Sequence, residues 1–376
     1  MDQSTQNGTL SFSMIKDMNE KYVGYILIVA VLTVLICIVS YLIYLRTLRK
    51  AECTYMSTLY GTVDGNIRSI DPSDPDCSGN LYDYYIKTAY NACSGGSYKN
   101  NYVDVCSLKS VLTQGVRGLD FEIYSINNNP VVATSTSDNY YVKETFNYVN
   151  FSDVMDTIAN YAFSSGTAPN FNDPILIHLR IMSNNQTMLS NLASIFASYD
   201  DLMLGKEYSY ENNNTNMGKV PITKLMNKCL LIVDRSNTAF LQNEDLMEYV
   251  NLASNSVFMR AYKYSDIYGN PDVHELTNYN KKAMTIVFPD SGSNPVNPSA
   301  MLCRAYGCQM VAMRYQYVDQ YLEENALFFD KVTYAFALKP QKLRYRPIMV
   351  KDPTPQNPDY SYGTRNVSTD YYSFNF

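Results

Sequence analysis

The sequence predicts an α/β fold, a TIM-like (β/α)8 barrel, preceded by one N-terminal membrane-spanning helix. Three observations carry this. From residue 81 onward, short apolar or β-branched runs alternate with amphipathic helical stretches, the pattern of a parallel sheet covered by helices. Roughly eight such runs fit into about 270 residues, the size of a (β/α)8 barrel. Ahead of them, residues 22–45 run without a charge, and at about 1.5 Å per residue a helix of that length crosses a bilayer core with some tilt.

Taken in order, residues 1–21 are polar, and the span 22–45 carries Tyr22, Tyr25, Tyr41 and Tyr44 near its two ends, where interfacial aromatics sit. A cleaved signal peptide is the competing reading, but the apolar run is too long and no small-residue cleavage site follows. Arg46, Arg49 and Lys50 follow the span, whereas Asp17 and Glu20 offset Lys16 and Lys21 before it. The positive-inside rule then places the barrel on the cytoplasmic side and the N-terminus across the membrane. In that reducing compartment the cysteines stay free thiols. The sequons at Asn150, Asn185, Asn213 and Asn366 stay unmodified, and Asn7 alone is open to glycosylation. Residues 46–80 read as a loop-rich neck around Gly61, Gly65, Pro72, Pro75 and Gly79.

The barrel is expected over 81–346. Strands are read at 81–89, 119–124, 130–134, 174–181, 228–233, 283–288, 308–315 and 334–338. Helices are read at 100–114, 150–163, 187–199 and 244–252 from apolar residues at helical spacing. Residues 206–218 form an Asn-rich loop, and His274 follows Gly269 and Pro271 in another. The Pro- and Tyr-rich tail, 347–376, lacks periodicity and reads as an extended arm for protein partners, alongside the barrel surface.

Composition narrows the chemistry. A net charge of -6 with no basic block excludes a nucleic-acid partner. The eight cysteines form no C-x-x-C pair, which argues against zinc. There is no Trp among 35 Tyr, many beside Asn, as an A+T-rich genome would give. With a single anchor, that bias suits a large DNA virus and a protein bridging an internal membrane to a shell. Only two histidines are present, His178 and His274.

The chain is organised around GVRGLDFEIY, residues 115–124. Along a strand, Asp120, Glu122 and Tyr124 share one face. Two carboxylates that close repel, and one protonates unless a cation lies between them.

Several segments resemble the X and Y catalytic boxes of phosphoinositide-specific phospholipase C. DYYIKTAYNAC (83–93), GVRGLDFEIY, PVVATS (130–135) and PILIHLRI (174–181) resemble the family's X-box strands. GCQMVAMRYQ (307–316) and YAFALKPQKLR (334–344) are the more specific matches. The resemblance runs from about 81 to 346, without the family's accessory modules, and implies the barrel fold. It also implies a phosphodiesterase with two proton-carrying histidines and Ca2+ as cofactor. At the histidine positions this chain has Tyr90 and Thr134, and neither carries protons near neutrality, since tyrosine titrates near ~10. The calcium ligands fall at Asn91, Asp120, Glu122 and Arg180, the last a cation where the family has a Glu. The phosphate- and headgroup-reading positions become Asp234, Ser236, Ile286 and Phe288.

The expectation is therefore an Asp120–Arg180–Glu122 cluster without calcium, the guanidinium standing in for the metal. His178 faces the same way as Arg180, either as a displaced base or as a hydrogen-bonded core residue. The resulting reading is a membrane-anchored phospholipase C-like pseudoenzyme acting as scaffold, with no cofactor. The alternatives are an active phosphodiesterase with relocated residues, perhaps using His178, Tyr90 and the two carboxylates, or a non-catalytic lipid-headgroup binder.

Overall fold

In the computed structural model, residues 20–137, 141–209, 216–347, 351–357, 360 and 363–376 are described. The polar residues 1–19, Asn213 and parts of the 206–218 loop and of the tail lie outside them. The chain divides into a large unit through Arg344 and a small C-terminal one from Tyr345.

Eight parallel strands form the barrel: β1 (Tyr84–Ala89), β2 (Gly118–Ile126), β5 (Ile175–Ile181), β6 (Cys229–Asp234), β7 (Val250–Ser254), β8 (Met259–Lys263), β9 (Met284–Phe288) and β10 (Met310–Met313). Each pairs with the next and β10 returns to β1, while the seam between β7 and β8 carries no ladder. Strand alternation sorts the side chains. Leu176, Leu230, Ile232, Leu252, Met284 and Met310 fill the interior, and Leu119, Phe121, Ile177, Leu179, Leu231 and Val311 pack outward under the helices. Gly118 lies where β1 and β2 come close, and a Cβ there would run into the Thr88 side chain.

Two runs read as strands are not barrel staves. Residues 129–133 form β3 (Asn129–Ala133), which folds back antiparallel on β2 and pairs with the short β4 (Val149–Asn150). Residues 336–338 form β11 (Phe336–Leu338), antiparallel to the start of β1. The missing staves come from elsewhere. The helix expected over 244–252 is one turn, Glu244–Met247, followed by β7. Asn251 masked that strand: it is polar yet buried, and its Oδ1 accepts the Leu231 N–H at a break in the β6–β7 register. Strand β8 went unread because it is short, half-buried and charged. Only residues 255–258 link β7 to β8, too few for a helical crossover. His274 sits in the helix Val273–Asn280 rather than in a loop, because Asp272 caps it.

Helix α1 (Glu20–Tyr60) is the one helix among the described residues long and apolar enough to cross a membrane, and its apolar part is exposed, compatible with a membrane anchor. It continues straight through the first part of the expected neck. Residues 46–60 contain no Gly or Pro, and Arg49, Cys53, Met56 and Tyr60 recur at helical spacing. That stripe packs on α2 (Val105–Thr113) and the barrel: Met56 is fully buried, Arg49 pairs with Asp104, and the Tyr60 hydroxyl donates to the Tyr315 carbonyl at 2.8 Å. Gly61 ends the helix, since a Cβ there would meet the Ser57 carbonyl. Cys53 and Cys106 form a disulfide across this joint, so the expectation that all cysteines are free thiols fails for this pair. Cys37, Cys77, Cys93, Cys229, Cys303 and Cys308 are free.

The C-terminal unit carries a two-stranded hairpin, β12 (Asn366–Ser368) and β13 (Ser373–Asn375). The expected extended arm is thus structured at its end.

Candidate functional site

Inward-facing residues at the C-terminal ends of the staves converge on one point, as this fold arranges them. Tyr90 and Asn91 follow β1, Asp120 and Glu122 stand on β2, and His178 and Arg180 on β5. Asp234, Ser254, Lys263 and Phe288 end β6, β7, β8 and β9. Register brings the key pairs side by side, Asp120 beside His178 and Glu122 beside Arg180.

Arg180 spans the two carboxylates. Its Nε donates to Asp120 Oδ1 at 3.1 Å, Nη2 to Asp120 Oδ2 at 2.8 Å, and Nη1 lies 3.0 Å from Glu122 Oε1. Nη2 also donates to Asn91 Oδ1 at 2.9 Å. Asn91 has a left-handed backbone (φ 45°), which asparagine tolerates. Its amide donates to Glu122 Oε1 at 3.0 Å and its backbone N–H to Asp120 Oδ2 at 3.2 Å. His178 Nδ1 is 2.8 Å from Asp120 Oδ1, and Nε2 is 2.9 Å from Ser254 Oγ. The Tyr124 hydroxyl at 2.8 Å and the Ser135 N–H at 2.9 Å donate to Glu122 Oε2. Each of the four carboxylate oxygens thus meets at least two donors.

Burial works against the charge on Asp120, but the Arg180 guanidinium and the His178 hydrogen bond outweigh it and hold this carboxyl well below the usual range. Burial, and then the neighbouring Glu122 charge, push the Tyr124 phenol up, so it stays a donor.

The other expected positions have structural surroundings. The Tyr90 ring lies 4.7 Å and the Phe288 ring 5.3 Å from the guanidinium carbon, walling Arg180 with aromatic faces. Phe288 also packs on the His178 ring at 5.4 Å. Thr134 is buried and donates to the Tyr98 carbonyl at 3.0 Å. Ile286 belongs to the interior packing beneath the site, away from the cavity. Asp234 Oδ1 accepts from Asn255 Nδ2 at 2.7 Å and from Ser236 N at 3.2 Å. A cavity of about 160 Å³ opens beside the cluster, lined by Arg180, Asp234, Ser236, Asn255, Lys263 and Phe288.

The residues that would hold Ca2+ do not fit it as assembled. Calcium takes six to eight oxygen ligands, whereas Arg180 places donors where a cation would need lone pairs. Ser254 and Lys263 were missed because their strands were unread. The alternation of Met259, Ala261 and Lys263 against Arg260 and Tyr262 was the available signal.

Residues 77–234 match the sequence profile described as phosphatidylinositol-specific phospholipase C, X domain. The solved structure of L. pealei PLC21 superposes with a TM-score of 0.58 at 19% identity, covering 72% of this chain and 38% of that one. That of S. officinalis PLC21 gives 0.57 at 18%, again covering 72% and 38%. The chain therefore spans about 38% of the length of these structures, and at such identity the likeness shows the fold alone. No curated protein sequence matches the chain.

Proposed function

We propose that this phosphoinositide-specific phospholipase C-like protein is a membrane-anchored scaffold that does not cleave inositol lipids by the family's route. One observation carries the reading: Arg180 sits between Asp120 and Glu122 and engages both, while aromatic and hydroxyl side chains stand at Tyr90 and Thr134. A buried, fully paired guanidinium neutralises the carboxylates without offering a Lewis acid. Without two titrating bases there is no acid/base pair to move the substrate proton. The barrel surface and the tail are the contact surfaces for protein partners.

The flanking charges and the disulfide disagree over orientation. We give the disulfide more weight, because Arg49 is engaged by Asp104 on the barrel and structural disulfides persist in oxidising compartments. The barrel then faces the oxidising side, and protease protection in sealed vesicles tests it.

The functional test is turnover of phosphatidylinositol and its phosphates by the purified full-length chain, with and without Ca2+. Release of inositol phosphate in either condition refutes the scaffold reading. The second reading, a headgroup binder without turnover, gains only from Lys263 at the cavity and would show as vesicle binding without product.

A further inference from the structure

We propose that Ser254 is an activated nucleophile, and that the barrel mouth carries a serine-hydrolase-type site for small neutral carboxylic esters. Three side chains from β7, β5 and β2 lie in line within hydrogen-bond reach. Ser254 Oγ is 2.9 Å from His178 Nε2, and His178 Nδ1 is 2.8 Å from Asp120 Oδ1. These are the separations a nucleophile, its base and the group orienting that base require. Asp120, held by Arg180, offers the ring only acceptors, so Nδ1 faces it as the donor. On the other side Ser254 Oγ lies 2.9 Å from Nε2, but its hydroxyl donates to Asp234 Oδ1 at 3.2 Å while Asp234 is in place; moving that carboxylate away leaves Nε2 as the acceptor of the Ser254 proton.

Two further features single out Ser254. It ends a barrel strand, where this fold places reacting groups, and that strand borders the seam without a ladder. The next residue, Asn255, has a left-handed backbone (φ 54°), a turn that redirects the chain directly after the hydroxyl.

Ser254 is itself buried. Toward the cavity it meets the Asp234 carboxylate, which accepts the Ser254 hydroxyl at 3.2 Å and the Asn255 amide at 2.7 Å. Asp234 and Asn255 both line the cavity. Access requires this pair to swing outward. The lining sets the Asp234 and Asp266 carboxylates against Arg180 and Lys263, a balance that suits an uncharged ester, and the cavity of about 160 Å³ suits a short acyl group. In the reaction, Oγ bonds to the carbonyl carbon as its proton passes to Nε2. The tetrahedral adduct collapses by breaking the bond to the alcohol oxygen, which takes that proton and leaves. Water, deprotonated by His178, then releases the acid and restores Ser254.

The full-length chain in detergent micelles is treated with a fluorophosphonate probe and mapped by mass spectrometry, with p-nitrophenyl acetate hydrolysis as a second readout. One adduct is expected, on Ser254, absent from Ser254→Ala and formed about 100-fold more slowly in His178→Asn. Asp234→Ala, which removes that carboxylate and leaves Ser254, His178 and Asp120, labels faster. No adduct on Ser254 in either the natural chain or Asp234→Ala, with both retaining a cooperative melt, overturns the proposal. Neither readout depends on inositol-lipid turnover.

Discussion

Replacing Arg180 with alanine is the sharpest perturbation of the cluster, and its cost has a calculable pH signature. The arginine side chain is 3% exposed and Asp120 is fully buried, so solvent screens little of what is lost. Three charge-assisted contacts, to Asp120 at 3.1 and 2.8 Å and to Glu122 at 3.0 Å, sum to about 5–9 kcal/mol at face value. The variant has a cheaper escape, because an orphaned carboxyl can take up a proton. For a group of pKa near 4, that costs about 4 kcal/mol at pH 7 but only about 1.5 kcal/mol at pH 5, at ~1.36 kcal/mol per pH unit. Groups outside the cluster, such as Asp173, pushed up to about 6 by burial, titrate alike in both chains and cancel in the difference, while the Asp120 contribution in the natural chain is flat over this range. Its Asp120 is depressed, so its contribution is fully present above the unfolded value near ~4 and is lost only as pH falls below it. Arg180→Ala is therefore expected to lose about 4 kcal/mol at pH 7, roughly 10 °C in Tm, and well under half of that at pH 5. Thermal melts by circular dichroism at both pH values, in calcium-free buffer, measure it. An equal loss at both pH values, or a loss below about 1 kcal/mol, refutes the idea that the guanidinium neutralises buried carboxylates.

Five other outcomes follow. Asp120→Asn should make the acid limb of the stability profile shallower, because the most strongly paired buried carboxyl is gone while depressed ones such as Glu144 remain; a melt series from pH 6 to pH 3 shows it. Tyr90→His with Thr134→His restores both proton carriers but should yield no inositol phosphate while Arg180 remains, as a turnover assay on phosphatidylinositol reports. Cys53→Ser opens a loop with a sequence separation of 53 and should cost up to about 4 kcal/mol on the chain-entropy estimate. Maleimide mass tagging before and after reduction should show two additional reactive thiols in the natural chain. Phe288→Ala removes the ring packed on His178 and Arg180 and should cost about 3–5 kcal/mol, read as a fall in Tm.

Much of this was legible in the sequence where period and burial agreed. The stretches at 118–126 and 175–181 alternate cleanly, so placing Asp120, Glu122, His178 and Arg180 on inward faces needed only strand geometry. The approach of Arg180 to both carboxylates depends on register, which a single chain does not encode locally, and came instead from the family resemblance. What failed has physical causes. Asn251 is a polar residue buried to satisfy a backbone N–H, so the strand 250–254 lost its apolar signature. The strand 259–263 borders the open seam, where one face stays wet and charge is tolerated. Residues 46–60 were misread because prolines and glycines further on coloured the whole neck, although Arg49, Cys53, Met56 and Tyr60 already marked a helix face. Pairing of Cys53 with Cys106 needs two helices docked in three dimensions, and spacing alone does not show it.

Calcium titration followed by thermal melting, on the natural chain and on Arg180→Glu, tests the central claim most directly. If the guanidinium has taken the divalent ion's place, millimolar Ca2+ leaves the Tm of the natural chain unchanged and raises that of Arg180→Glu, whose Asn91, Asp120, Glu122 and new carboxylate supply oxygen ligands. A calcium-dependent rise in the natural chain at micromolar concentrations would contradict it.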